Sequence, residues 1–276
     1  MQPISFLSDF GTDDEFVGVV HGVIARIEPA LRVIDITHGI ARGDVRAGAL
    51  ALLRAIQYLP NGVVLAVVDP GVGTSRRAIA AETEWGFFVG PDNGLLAPAV
   101  AMVGGATAFV SLESPDFRLP RDGITFDGRD VFAPAAAVLA SGEASLQDLG
   151  PSVDPASVTP LMLPLAEHDD GTVSGEVLWI DRFGNAQTNV APDDLRLAGM
   201  QPGTEIMVRV GSTEHEMPWV ETYGSSRGGV VHVDSQGLIA VAVPGGRADE
   251  TYAITEGLSV GFRTAAGGIR LDVSAD

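Results

Sequence analysis

The apolar positions of this chain change their period partway along it. Ile4 to Leu7 form a short apolar run that ends in the turn Ser8-Asp9-Phe10-Gly11, and Phe16, Val19, Val20, Val23, Ile24 and Ile27 then recur at helical spacing. Pro29 lies just past that predicted helix. Arg32 to Ile36 reads as a second strand, and Val45, Ala49, Leu52, Leu53 and Ile56 mark a second helix. Val63 to Val68 is an unbroken apolar run of the kind buried on both faces of a sheet. Such alternation of strand and helix predicts a mostly parallel α/β sheet covered by helices. Trp85 to Val89 and Thr107 to Leu112 add candidate strands, and Asp130 to Ala140 reads as a helix with Pro134 near its first turn.

Beyond Gly150 the pattern shortens. Residues 151 to 170 carry several prolines and end in the polar run Glu167-His168-Asp169-Asp170, which reads as a linker. From Thr172 onward short alternating segments separated by glycines dominate: Val173 to Ile180, Glu205 to Val210, Gly229 to Val233, Leu238 to Val243 and Ile269 to Val273. They predict a smaller all-β domain, a barrel or sandwich. The expected division is an α/β domain over 1–165 and a β-barrel-like domain over 170–276.

Composition narrows the function classes. The net charge is −19, and all 17 basic residues are arginine. A field of that sign repels nucleic acid and anionic membranes but attracts a cationic small molecule. No cysteine is present, which excludes disulfides and thiolate metal sites. The first residues lack the basic and apolar regions of a signal peptide, and no apolar run reaches membrane-spanning length. A cytoplasmic protein is the expectation.

Candidate chemistry gathers where predicted strands end. Asp9 follows the first strand, Asp35-Ile36-Thr37-His38-Gly39 closes the second, and Asp69-Pro70-Gly71-Val72-Gly73-Thr74 follows the third, with Arg76 seven positions after Asp69. Open parallel sheets bind ligands beyond the carboxyl ends of their strands. The absence of a P-loop lysine or dinucleotide fingerprint argues against phosphate binding, whereas a carboxylate such as Asp9 suits the two hydroxyls of a ribose. Read singly, Asp9 is a cap or turn residue, His38 a satisfied loop histidine, Asp127 a cap for the Asp130 helix, and Asp181 to Asn185 a hairpin turn. The run Asp13-Asp14-Glu15 reads as the first turn of a helix.

Taken together, Leu7-Ser8-Asp9-Phe10-Gly11, Asp35 to Gly39, Val68 to Thr74, Pro91-Asp92-Asn93-Gly94-Leu95-Leu96 and Asp181-Arg182-Phe183-Gly184-Asn185 occur in an order that resembles the S-adenosylmethionine hydroxide adenosyltransferase family, relatives of the fluorinating and chlorinating adenosyl enzymes. The resemblance implies hydrolysis of S-adenosylmethionine to adenosine and methionine without a cofactor or metal, and a homotrimer with sites between subunits. It implies catalytic roles for Asp69 and Arg76, a ribose contact for Asp9, and substrate contacts for Asp181, Phe183, Asn185, Ser235, Arg247 and Ala248. The family pattern Phe-His-Gly-Arg-Asp stands here as Phe126-Asp127-Gly128-Arg129-Asp130, so a carboxylate replaces an imidazole in the water-activating group. If Asp127 neighbours Asp69, the two share a proton unless Arg76 compensates. His21 and Pro244 depart from the family's more usual Lys and Asn.

Three other readings stand beside this one. Halogen transfer is disfavoured by the anionic Asp69, where the halogenating relatives carry Tyr, and by the missing insertion between Arg77 and Pro91. A protein that binds S-adenosylmethionine or adenosine without turnover is the second. The third is a calcium-dependent nucleoside ribohydrolase built on Asp9, Asp13 and Asp14, which would need an acidic residue where Leu7 stands.

Overall fold

The computed structural model describes residues 1–120, 123–223, 226 and 228–265. The chain divides into two compact units, Met1–Met162 and a second from Leu163 onward.

The first unit holds β1 (Ile4–Ser8), α1 (Phe16–Ile27), β2 (Val33–Thr37), α2 (Val45–Ile56), β3 (Val63–Val67), β4 (Ala78–Glu82), β5 (Phe87–Pro91), α3 (Ala97–Met102), β6 (Ala108–Ser111) and α4 (Ala133–Ser141). Its sheet runs β2-β1-β3-β5-β4-β6. β1 pairs in parallel with β2 and β3, and β3 with β5, while β4 runs against both its neighbours. Alternation along β3 explains the layering. Val63, Leu65 and Val67 join the core shared with α1 and α4, while Val64, Ala66 and Val68 join the core shared with α2 and α3. Every one of these six is at least 97 % buried, which is why the run shows no polar alternation in sequence.

The second unit is antiparallel. It contains β7 (Glu167–Asp169), β8 (Thr172–Ile180), β9 (Ala186–Thr188), α5 (Pro192–Leu197), β10 (Glu205–Val210), β11 (Thr213–Pro218), β12 (Val230–Val233), β13 (Ile239–Ala242), α6 (Ala248–Tyr252) and β14 (Ser259–Thr264). The strand path β11-β10-β14-β8-β9-β13-β12 curls into a nearly closed barrel, with a bridge from Trp219 beyond β11 to Val231 of β12. The mixed α/β unit followed by a β unit is the expected fold class.

Several local readings need correction. The polar run at 167–170 is not linker. Asp170 and Gly171 both take positive φ, so they make the two-residue turn that lets exposed β7 pair with β8. The expected helix from Asp130 opens instead with a π-helical stretch, Gly128–Phe132, that runs into α4. The acidic run Asp13 to Glu15 precedes α1, which has no acidic residue in its first turn. β4, α3, β9, β11, β14 and the short helices α5 and α6 were not legible in the pattern. The segment Ile269 to Val273 lies outside the described residues.

An aromatic cluster ties the loop after β1 to the π-helical turn. Phe10 and Phe16 both meet the Phe126 ring edge-on, at 5.7 and 5.1 Å between centroids. A methyl group on Gly128 would stand 2.8 Å from the Phe10 ring. Gly128→Ala is therefore expected to lower stability by about 1–3 kcal/mol through overpacking. Gly22→Ala, in open space on α1, is expected to raise it by roughly 0.5–1 kcal/mol. Urea unfolding of the two variants beside the parent checks both signs.

Candidate active site

Chain direction places the site. From β1 the chain crosses to β2 on one side of it, then back over it to β3 on the other. The strand order therefore reverses at the β1/β3 pair, where open α/β sheets leave a crevice beyond the strand ends. Ser8 is in register with Val67, so Asp9 and Asp69 both leave the sheet at that crevice. The Asp9 amide extends the ladder by donating to Val67 O at 3.3 Å.

Asp69 opens a tight turn. Gly73 has φ +78°, and Thr74 closes on the Gly71 carbonyl through its amide (3.1 Å) and its hydroxyl (2.6 Å). A Cβ on Gly71 would press on the Arg76 stem at 3.1 Å, so this glycine lets the arginine fold back over the turn. Arg76 Nε donates to both oxygens of Asp69 at 2.9 Å. Its Nη2 also donates to Asp69 Oδ2 and to Asp127 Oδ2, the latter at 2.6 Å. The three side chains are only 5–12 % exposed. Phe132 lies under the guanidinium, 5.2 Å from its carbon to the ring centroid. Burial disfavours the charged guanidinium, but hydrogen bonds and charge from Asp69, then Asp127, outweigh it and hold the Arg76 pKa above its ordinary value.

This geometry answers the question that Asp127 raised. Its side chain makes no cap hydrogen bond to the helix that follows and turns to Arg76 instead. The two carboxylates are bridged by one guanidinium, the compensating partner that such a pair needs. A cavity of about 270 Å³ opens beside Arg76, Asp127 and Thr74.

Three further contacts hold this edge. Gly43, with φ +74°, donates its amide to Asp9 Oδ2 at 2.7 Å and so orients that carboxylate. Asn93 Nδ2 donates to the Val68 carbonyl at 2.8 Å, immediately before Asp69. The His38 carbonyl accepts from Gly11 N at 2.8 Å. Asn93 belongs to the 91–96 motif, and only the fold shows that it braces the end of β3. His38 is buried as a satisfied histidine would be, but only its Nδ1 has a hydrogen-bond partner.

In the second unit, Asp181 organises the turn after β8. Its Oδ1 accepts from Phe183 N (2.8 Å) and Asn185 N (2.9 Å), and its Oδ2 from Asn185 Nδ2 (2.8 Å). Gly184, at φ +83°, has no room for a Cβ against Asp249 and Arg247. Arg247 grips Asp249 and donates to Arg182 O at 2.8 Å, while the buried Ala248 donates its amide to Gly184 O at 3.0 Å. The structure thus gives Arg247 and Ala248 contacts that brace the turn. Asp181 and Asn185 line two adjoining cavities, one of about 360 Å³ shared with Ser235 and His232, the other of about 670 Å³ shared with Phe183 and Gly246. Phe183 is 74 % exposed. Tyr223, which no sequence signal marked, lines both cavities and accepts from Asn185 Nδ2 at 3.2 Å. Burial, with the nearby charges of Asp181 and Asp234, raises its phenol pKa.

Comparison with known proteins agrees with the motif order. Residues 4–150 match the model of the SAM hydroxide adenosyltransferase N-terminal domain, and residues 175–261 match that of the C-terminal domain. A relative from Salinispora arenicola named (R)-S-adenosyl-L-methionine hydrolase is 47 % identical over 258 residues, covering 92 % of this chain and 95 % of the relative. A relative from Actinopolyspora mzabensis named fluorinase is 29 % identical over 287 residues, covering 93 % and 95 %. The crystal structure of an uncharacterized conserved protein from Thermotoga maritima superposes with a TM-score of 0.87 at 35 % identity, covering 94 % of this chain and 99 % of that one. With both domain models matched in order along most of its length, the chain belongs to the SAM hydroxide adenosyltransferase family.

Proposed function

We infer that this protein cleaves S-adenosylmethionine with water at the ribose 5′-carbon, releasing adenosine and methionine. The observation that carries this reading is the buried Asp69–Arg76–Asp127 array at the β1/β3 crevice, in a chain of this family. The sulfonium is already a good leaving group and leaves as a neutral thioether, so the protein needs no acid to expel methionine. Its task is to hold one water in line with the C5′–S bond and to take that water's proton. The water oxygen bonds to C5′, the C5′–S electron pair returns to sulfur, and the proton passes to a carboxylate. Alignment of this kind supplies on the order of 7 kcal/mol or more of barrier reduction.

In this scheme Asp69 orients the water and Asp127 accepts the proton. Arg76 bridges the two carboxylates and fixes their positions. A fixed guanidinium also moderates the negative charge that a halide nucleophile would have to approach, but it leaves two anions there. Asp9, oriented by Gly43, holds the ribose hydroxyls. Asp181, Asn185, Phe183 and Ser235 line the cavities of the second unit and serve as substrate contacts, with Arg247 and Ala248 keeping the Asp181 turn in shape. The negative field of the chain draws in the cationic sulfonium. The working assembly proposed is a homotrimer, and the compartment proposed is the cytoplasm. No helix among the described residues is long and apolar enough to cross a membrane.

Purified protein incubated with S-adenosylmethionine in excess EDTA is expected to release adenosine and methionine in equal amounts, read by chromatography. Ligand binding without products would favour a binding protein, and loss of activity restored by calcium would favour the ribohydrolase chemistry.

A variant series separates the roles within the array. Asp69→Ala is expected to reduce turnover by about a thousandfold and Asp127→Ala by about a hundredfold, the scale of general acid–base effects. Neither should change substrate affinity much. Asp127→His should retain turnover and move the pH–rate profile, because an imidazole accepts a proton near neutrality. Identical pH–rate profiles for parent, Asp127→Ala and Asp127→His would remove Asp127 from the chemistry. Light scattering is expected to give the mass of three chains, and a fully active monomer would contradict the trimer.

A further inference from the structure

Beside the Asp9 loop stands a second polar cluster, to which the proposed hydrolysis assigns no role. His21 on α1, Asp35 on β2 and His38 just beyond β2 each turn one ligating atom inward, and these atoms lie within 4.8 Å of one another. His21 Nε2 is hydrogen-bonded to Asp35 Oδ1 at 2.9 Å, and His38 Nε2 stands 3.1 Å from the same oxygen. Tetrahedral zinc with nitrogen and oxygen bonds near 2.0–2.1 Å sets its ligand atoms about 3.3 Å apart. Two of the three spacings are already close to that.

His38 is the informative member. Its side chain is only 6 % exposed. Its Nδ1 lies 2.7 Å from Ser8 Oγ, and its ring meets the Phe6 ring edge-on at 4.6 Å, so its orientation is fixed. Its Nε2 is buried without a hydrogen bond, because the approach to Asp35 is short in distance but wrong in angle. Buried polar atoms rarely lack a partner. In the tautomer that carries its proton on Nδ1 and donates it to Ser8 Oγ, Nε2 would present a lone pair to a carboxylate oxygen. Two acceptors so close repel unless a cation lies between them. A metal-bound imidazole usually donates its far N–H to an oxygen acceptor, a part that Ser8 Oγ can take here. Access is open on the other side, since His21 and Asp35 are 34 % and 44 % exposed.

We propose that His21, Asp35 and His38 form a binding site for a divalent transition-metal ion of the zinc type, held by two imidazole nitrogens and one carboxylate. The site is separate from the Asp69–Arg76–Asp127 array. Its effect is mechanical: Ser8 precedes Asp9, and the His38 carbonyl holds Gly11, so an ion on His38 stiffens the segment that carries Asp9. The hydrolysis needs no electron pair or proton from it and continues in its absence.

The test is a zinc titration of EDTA-treated, desalted protein by calorimetry, with competition from a chromophoric chelator, alongside thermal unfolding with and without zinc. Expected are one zinc ion per chain, a rise in the unfolding midpoint, and affinity weakened by at least about tenfold in His21→Gln and Asp35→Asn. Both positions are partly exposed, so these variants should fold, as circular dichroism can check. His168→Gln, which removes a surface histidine paired with Asp194, should bind zinc as the parent does. No zinc uptake at low-micromolar concentration, or equal affinity in the parent and the His21 and Asp35 variants, would overturn the proposal.

Discussion

The candidate site depends on one guanidinium held between two buried carboxylates. Asp69 and Asp127 both accept from Arg76 Nη2, so the bonded oxygens can be no more than about 5 Å apart. Two anions at that separation repel by on the order of 3 kcal/mol at an effective dielectric near 20. Arg76 reverses the sign of that interaction, and much of the surrounding structure serves to place it. Gly71 makes room for its stem, Gly73 supplies the positive φ of the turn, and Phe132 floors the guanidinium. The π-helical stretch after Asp127 has the same consequence. Such turns are uncommon in helices and collect at functional sites, and here one begins just after the residue whose carboxylate reaches Arg76.

This arrangement gives physical meaning to the replacement of imidazole by carboxylate. A neutral histidine beside Asp69 would accept a proton without adding charge. A carboxylate there is compatible with Asp69 only through a bridging cation, the place Arg76 fills. The chain thus keeps a proton acceptor at position 127 but makes it dependent on Arg76. Removing Arg76 would leave two buried anions with no counter-ion, a change that typically costs about 3–5 kcal/mol when one partner of a buried pair is lost.

The sequence made the parallel half of the sheet legible because its strands are buried on both faces and its helices carry long apolar stripes. β1, α1, β2, α2 and β3 stand within a residue or two of the expected positions. β4 was missed because Ala78 to Glu82 is mostly alanine, with too little side-chain contrast to show a period. β7 was missed because its three residues are all polar and exposed, and only the Asp170-Gly171 turn announces it. At the site, the motif order pointed to Asp69 and Arg76, which the fold joins directly. The resemblance also grouped Asp127 with them, and the fold brings Arg76 to it across 51 positions; what the motifs did not reveal is that Asn93 and Gly43 brace the edge. Those are long-range contacts with no local pattern. Tyr223 belongs with them, since nothing around it distinguishes a cavity tyrosine from a surface one.

The central claim is that water held by this array becomes the 5′-hydroxyl of adenosine. Running the reaction in water enriched in heavy oxygen, with mass spectrometry of both products, tests it most directly. The account predicts adenosine carrying the heavy oxygen at its 5′ position, methionine at natural mass, and no labelled adenosine from Asp69→Ala over the same interval. Adenosine at natural mass, label in methionine, or undiminished labelling by Asp69→Ala would contradict it.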